Sequence, residues 1–336
     1  MRRHVWLLAL AVLVLTVPAC RRRQPPALAL WGYIDKTGRY VLNPPYESAG
    51  SFAENVAAVR LERRWGYIDR SGRFVLPRKY DYARGFSDGL AAVQVDRKWG
   101  FIDHSGRWVI APKFDNAFWF SEGLAEVLIG DRWAFIDRSG NVALRLDVPA
   151  FDGFREGLAP AGANQKVGFI DRKSRFAIPA RFTSALGFRE GLAAVSDKGR
   201  FGFIDRSGKF VIPPRYTSAD SFSNGLAAVS VNGRWGMIDR KGKLVIPARY
   251  TGMGRFSEGF AAFSKSQLYG FVDRKGREVI EPRWQVTRAF SGGLAAVQAE
   301  SGFGMASRSV APDGSADATR IAGRPRRGRA VADVRG

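Results

Sequence analysis

An aromatic residue followed by glycine returns every 34 residues along this chain. The anchors are Trp31, Trp65, Trp99, Trp133, Phe201, Trp235, Tyr269 and Phe303, with Val167 in the one remaining slot. Glycine follows at eight of the nine, and Ala134 is the exception. A period of this length means stacked repeats, in which one unit cannot bury its own apolar face and borrows its neighbour's. Eight complete units fit between Trp31 and Gly302, and a ninth, Phe303-Gly-Met-Ala-Ser, begins and breaks off. A chain of 336 residues has the length of two or three ordinary domains. The unbroken period calls instead for one elongated or ring-shaped array.

The second unit shows what each repeat contains. Trp65-Gly-Tyr-Ile alternates as a strand, and Asp69-Arg-Ser-Gly72 carries turn residues at the first and fourth turn positions. Phe74-Val-Leu suits a second strand ended by Pro77, and Leu90-Ala-Ala-Val-Gln-Val95 suits a third. Recurrent Gly and Pro exclude a helical repeat of the same length. The expectation is an all-β tandem array of eight three-stranded units plus a partial ninth. It is read as an open, twisted β solenoid, with a closed propeller-like ring as the alternative. The large rings at Trp31, Trp65, Trp99, Trp133, Phe201, Trp235 and Tyr269 are expected to be structural anchors buried between neighbouring units. Composition allows such a core, at 46% hydrophobic and 12% aromatic residues.

Trp-Gly-Phe/Tyr-Ile-Asp-x-x-Gly-x-x-Val-Ile-Pro, followed by Phe-Ser-Glu-Gly-Leu-Ala-Ala-Val, resembles the WG-repeat family, also called KWG repeats. The resemblance covers roughly residues 28 to 306. It implies β-rich tandem repeats, common in bacteria and often surface-exposed, generally without a known catalytic activity. The fourth and fifth units depart from the pattern: Ala134 replaces Gly, the Pro shifts to Pro149, Val167 replaces Trp and Ser174 replaces the turn Gly.

The first residues stand apart. Arg2 and Arg3 precede an apolar run from Val5 to Val17, too short to span a bilayer and laid out like a secretory signal. Val17-Pro18-Ala19-Cys20 resembles a bacterial lipobox, which implies lipidation of Cys20, the one cysteine of the chain. The expected organisation is a signal peptide at 1–19, a basic Pro-containing leash at 20–27, the array at 28–307 and a disordered basic tail at 308–336. The expected location is the cell envelope, lipid-anchored.

Catalytic chemistry has little to draw on. His104 is the one histidine beyond the leader and occupies a turn slot. No Cys/His cluster suits a metal, and no glycine loop before a helix suits a phosphate. The Asp of every unit, beside a turn Gly, reads as a turn holder. No enzyme, metal or cofactor is expected.

Charge offers more, at +22 overall. One basic row follows the Asp (Lys36, Arg70, Arg138, Arg172, Arg206, Arg240, Arg274), and an acidic row occupies the Phe-Ser-Glu-Gly turn (Glu54, Asp88, Glu122, Glu156, Glu190, Glu258). These two are expected to share an edge and pair. A third row, Lys79, Lys113, Arg181, Arg215, Arg249 and Arg283, and a fourth, Arg64, Lys98, Arg132, Lys166, Arg200 and Arg234, are expected on the opposite edge without an acidic row to offset them. That edge is the candidate anion-binding surface. The expected function is non-catalytic binding of an anionic envelope polymer or lipid headgroups. The alternative is a protein–protein interaction module holding another envelope protein. Nucleic acid is disfavoured by the export signal.

Overall fold

The computed structural model describes residues 30–146, 152–163 and 165–298. The leader, Cys20, the leash, Pro149, the Phe303 unit and the tail lie outside the described residues. Everything described is strand, turn or loop, arranged as eight small antiparallel sheets.

The second sheet is representative. Its strands run Ser48–Ala49, Ala57–Leu61, Arg64–Ile68 and Phe74–Tyr80, hydrogen-bonded in that order. Seven of the eight sheets therefore have a fourth strand beyond the three expected, and the fifth, Ala159–Ala163, Lys166–Ile170 and Phe176–Phe182, has three among the described residues. Two residues are too few to show an alternating pattern, so this short first strand leaves no periodic signal. The central hairpin pairs Ala57 with Ile68 and Leu61 with Arg64. Its two-residue turn, Glu62-Arg63, holds both residues at positive φ, 51° and 64°. That is the turn whose twist matches antiparallel strands.

The third and fourth strands explain the Trp-Gly and Ile-Pro motifs together. Trp65 pairs with Tyr80 but Tyr67 with Leu76, so the fourth strand carries two extra residues opposite Gly66. The bulged backbone lies directly on the glycine: a Cβ on Gly66 would stand 2.9 Å from Leu76 O, and one on Gly236 2.4 Å from Ile246 O. Pro77 falls in the bulge, where no ladder N–H is needed. In the fourth sheet Ala134 pairs directly with Arg145, without those extra residues, so a methyl group has room.

The sheets form a closed ring, the alternative of the two closures, rather than the open array. The first sheet is composite, ordered Tyr40–Tyr46, Trp31–Ile34, Ala295–Gln298, Val286–Thr287. Trp31 pairs with Gln298 and Ile34 with Ala295. The strand missing before Trp31 is thus supplied by the end of the eighth unit, and the edge that an open array would expose is paired. Contacts across this join repeat those elsewhere. Arg249 Nη2 donates to Gly276 O (3.1 Å), and Arg283 likewise to Gly38 O. Ser257 Oγ donates to Phe290 O (2.6 Å), and Ser291 to Phe52 O.

The sheets are thus blades of an eight-bladed β-propeller, with blade one the composite sheet and blades two to eight following in chain order. Segments next to the short first strands touch their equivalents directly: Arg84 Nε donates to Ala117 O at 2.8 Å and Ser87 Oγ to Phe120 O at 2.7 Å. Blades diverge outward, so these segments mark the inner edge. The fourth strands form the periphery, with Val75, Val109, Val211, Val245 and Val279 exposed. The core divides into eight clusters, one between each neighbouring pair of blades, including that between the eighth and the first.

Candidate functional site

The charged rows are set by turns and twist. Each Asp at the end of a third strand holds its turn: Asp35 Oδ1 accepts from the backbone N–H of Thr37 at 2.8 Å and of Arg39 at 3.1 Å. In the third blade the Ser105 hydroxyl joins the two backbone donors and lowers the Asp103 carboxyl to about 2. These carboxylates are occupied by the fold.

The first basic row and the acidic row do meet, across blade boundaries. Lys36 Nζ lies 3.1 Å from Glu258, Arg172 3.0 Å from Glu122, and His104 Nε2 2.8 Å from Glu54. His104 also stacks on Phe86, ring centroids 4.0 Å apart. The acidic row accepts a second bond from the next blade, such as Gly89 N to Glu54 at 3.1 Å and Gly123 N to Asp88 at 2.9 Å. Exposed ion pairs of this kind contribute about 0–1 kcal/mol each.

The third row is exposed and also reaches the next blade. Lys113, Arg181, Arg215, Arg249 and Arg283 each donate to the carbonyl of the turn glycine in the following blade, at 3.3 Å for Lys113 and 2.6 Å for Arg215. Each also lies over its neighbouring ring: Lys79 over Tyr80, Arg181 over Phe182 and Arg283 over Trp284 at 4.5 Å. Twist accumulated across four strands, with the bulge at the proline, swings the end of the fourth strand toward the next blade's turn. Five of the six residues of this row therefore tie neighbouring blades together while remaining exposed.

The fourth row is exposed throughout, at the rim where each second strand turns into the third. It is partly offset by acids that the sequence reading overlooked. Arg64 pairs with Asp81, and Lys98 with Asp115 at 2.6 Å. Further round the ring, Thr183, Thr217 and Thr251 stand where Asp81 and Asp115 stood. Among the described residues no carboxylate lies within ion-pair distance of Lys166, Arg200 or Arg234, and Arg132 meets only its neighbour Asp131, at 4.0 Å.

The anchor rings differ around the ring. Trp31, Trp65 and Trp99 are buried, whereas Trp133, Phe201, Trp235 and Tyr269 are half-buried. The positions two residues later, Tyr33, Tyr67, Phe101, Phe135, Phe169, Phe203 and Phe271, are completely buried. In blades two to four the anchor rings and rings of the first strands form a continuous row: Trp65 to Tyr82 (5.0 Å), Tyr82 to Trp99 (5.5 Å), Arg84 between Trp99 and Phe118, then Phe118 to Trp133 (5.6 Å).

The inner edge carries charges that sequence reading missed: Glu126, Asp152, Arg155, Arg189, Asp220 and Arg255. Their signal was departure from the repeat, such as Glu126 where other units have Ala92 or Ala194. Glu126 is 5% exposed and makes no hydrogen bond among the described residues. Burial, then the Asp152 charge, push its carboxyl up to about 7. Among the described residues no group of three or more His, Cys, Asp or Glu could hold a metal ion. No helix there is long and apolar enough to cross a membrane.

Comparison with curated proteins returned no match. Among solved structures, the chain is similar to dihydro-heme d1 dehydrogenase NirN in complex with DHE, at 12% identity and a TM-score of 0.50, over 80% of this chain and 75% of that one. A eukaryotic initiation factor matches at 11% identity and a TM-score of 0.48, over 77% and 82%. Hsv2 of Kluyveromyces lactis matches at 12% and 0.41, over 55% and 71%. At such identities only the fold is shared. The WG containing repeat matches seven times, at residues 31–63, 65–99, 99–133, 168–200, 201–235, 235–269 and 269–301. These matches cover most of the chain, and the protein belongs to the family of WG containing repeat proteins.

Proposed function

We propose that this propeller is a non-catalytic binding scaffold of the bacterial cell envelope, exported and held at a membrane by a lipid on Cys20, which captures an anionic polymer or lipid headgroups on its rim. The observation that carries the reading is the asymmetry of the fourth basic row. Arg64 and Lys98 are neutralised by Asp81 and Asp115, whereas among the described residues no carboxylate lies within ion-pair distance of Lys166, Arg200 or Arg234. Cations that stabilise nothing within the fold repel one another, and a polyanion laid across them relieves that repulsion. The third row is exposed as well, but Lys113, Arg181, Arg215, Arg249 and Arg283 also cap carbonyls of the next blade, so the reading rests on the fourth row.

The test compares two triple reversals of equal charge on a polyphosphate resin and on anionic vesicles at low salt. Arg132→Glu with Arg200→Glu and Arg234→Glu removes rim cations. Arg39→Glu with Lys209→Glu and Lys243→Glu removes equally exposed cations from the turns held by Asp35, Asp205 and Asp239. The rim triple should lose binding while the other retains it, and wild-type binding should fall steeply with added salt. Equal loss in both would mean a diffuse positive surface without a dedicated rim. Cys20→Ala should release the protein from membranes, because the basic leash alone holds weakly.

A further inference from the structure

The inner edge is where the repeat stops repeating, and one substitution there is costly to the fold. Three residues after Arg84 stands Ser87, whose hydroxyl donates to Phe120 O of the next blade at 2.7 Å. Ser121, Ser223, Ser257 and Ser291 make the same tie. In the fifth and sixth blades this serine is replaced by Arg155 and Arg189, and neither arginine makes the tie. Two adjacent blades therefore give up an inter-blade hydrogen bond and place guanidinium groups at the axis instead.

The surroundings leave these cations short of counter-charge. Asp152 Oδ1 lies 3.8 Å from Arg155 Nε, and its Oδ2 accepts from Gly187 N at 3.3 Å. Asp220 Oδ2 lies 3.4 Å from Arg255 Nε, and its Oδ1 accepts from Ser221 N at 2.7 Å. Each aspartate is thus committed to one arginine and one backbone amide. Arg189 is the surplus: its side chain makes no ion pair or hydrogen bond among the described residues. The Nε atoms of both Arg155 and Arg189 are buried without a hydrogen-bond partner. Charges from the fifth, seventh and eighth blades all act on Arg189. Burial and the Arg155 and Arg255 charges pull its pKa down, against Asp152 and Asp220. Groups from so many blades bear on one guanidinium only where they face a common space.

We propose that the inner edge of blades five to eight is a binding site for a compact oxyanion, a carboxylate or a phosphate group, received by Arg189 and Arg155 with Arg255 beside them. A guanidinium presents a planar fork of donors that matches the paired oxygens of either group. Buried donors left without acceptors are costly, and an oxyanion supplies the missing acceptors and the missing negative charge together. Glu126, on the blade-four side of Asp152, has its carboxyl pushed up to about 7 and supplies only part of that charge near neutrality. This site is separate from the rim in residues and in the size of ligand it takes.

The experiment is isothermal titration of the full chain with inorganic phosphate, glycerol phosphate and acetate in low-chloride buffer. Saturable binding of at least one is expected. Inorganic phosphate stands for the free anion and glycerol phosphate for a phosphate carried on a larger molecule, so their ranking names the source. The decisive variant is Arg155→Ser with Arg189→Ser, which installs the residue that five other blades carry and is compatible with the fold. It should weaken binding by about tenfold or more and unfold at the same or a higher temperature than wild type. Arg39→Gln, at an exposed turn, should bind as wild type does. No saturable binding of any probe by wild type, or undiminished affinity in the double-serine variant, overturns the proposal. The rim is read on polyanions with rim variants, so failure of one reading is distinguishable from failure of the other.

Discussion

A carboxyl group at 5% exposure with no hydrogen bond is an unusual residue for a strand whose equivalents are alanines, and Glu126 should reveal itself through pH. Its folded pKa of about 7 lies above the ordinary value of 4.5, so the folded state holds the proton more tightly than the unfolded chain does. Stability therefore falls as pH rises from the ordinary value to about 7, and the full penalty applies above that. The shift corresponds to roughly 3 kcal/mol as an upper figure. Glu126→Gln should be neutral near pH 5 and stabilising by roughly 2–3 kcal/mol near pH 8, measured as denaturant midpoints at the two values. A gain equal at both pH values would show that Glu126 is already ionised or solvated. The turn carboxylates Asp35, Asp103 and Asp205 do not blur this window, because hydrogen bonds lower their pKa values and they titrate in more acid conditions. Their role as turn holders was legible from the Asp-x-x-Gly spacing alone. Glu126 was not, because a single residue out of step carries no periodic signal.

The unit of construction is the pairing of a glycine with a bulge. A Cβ on Gly236 would stand 2.4 Å from Ile246 O and 2.7 Å from Ala248 N, both backbone atoms that cannot turn aside. Gly236→Ala should cost about 3 kcal/mol or more. Ala134→Gly, in the blade without the bulge, should cost no more than about 1 kcal/mol. Thermal unfolding of the two variants side by side checks this, and similar losses would mean that the bulge does not dictate the glycine. At this scale the sequence was informative but incomplete. Trp-Gly and Ile-Pro were visible as separate motifs, each assigned to a strand. That they are one device, a proline-containing bulge lying on a residue without a side chain, depends on register, which the alternating pattern does not encode. The short first strand was missed because two residues leave no periodic signal. The ties of the third basic row to the next blade were not legible because its direction follows from twist, which moves a strand end to the neighbouring blade.

Closure is a property of the whole molecule, set by the rotation between neighbouring blades, a quantity that no single repeat displays. The offset of the ends was nonetheless written in the chain. It enters at the third strand of a unit, Trp31–Ile34, and the described residues end on a second strand, Ala295–Gln298, so the two ends complete one sheet. The eighth core cluster, with Ile34, Ala295 and Val297 of the first blade packed on Phe271, Ile280 and Trp284 of the eighth, makes that join resemble every other. A ring also gives the rim and the axis their meaning, because only closure brings the inner charges of several blades to bear on Arg189. Lys36 and Glu258 test it most directly. They are far apart in sequence but 3.1 Å apart across the join. Zero-length carbodiimide coupling of the dilute native protein, followed by mass spectrometry of the monomer band, should recover a Lys36–Glu258 cross-linked peptide. It should appear alongside the local Lys98–Asp115 link, whose partners stand at 2.6 Å. Recovery of the local link without the Lys36–Glu258 link would contradict the closed propeller and restore the open array.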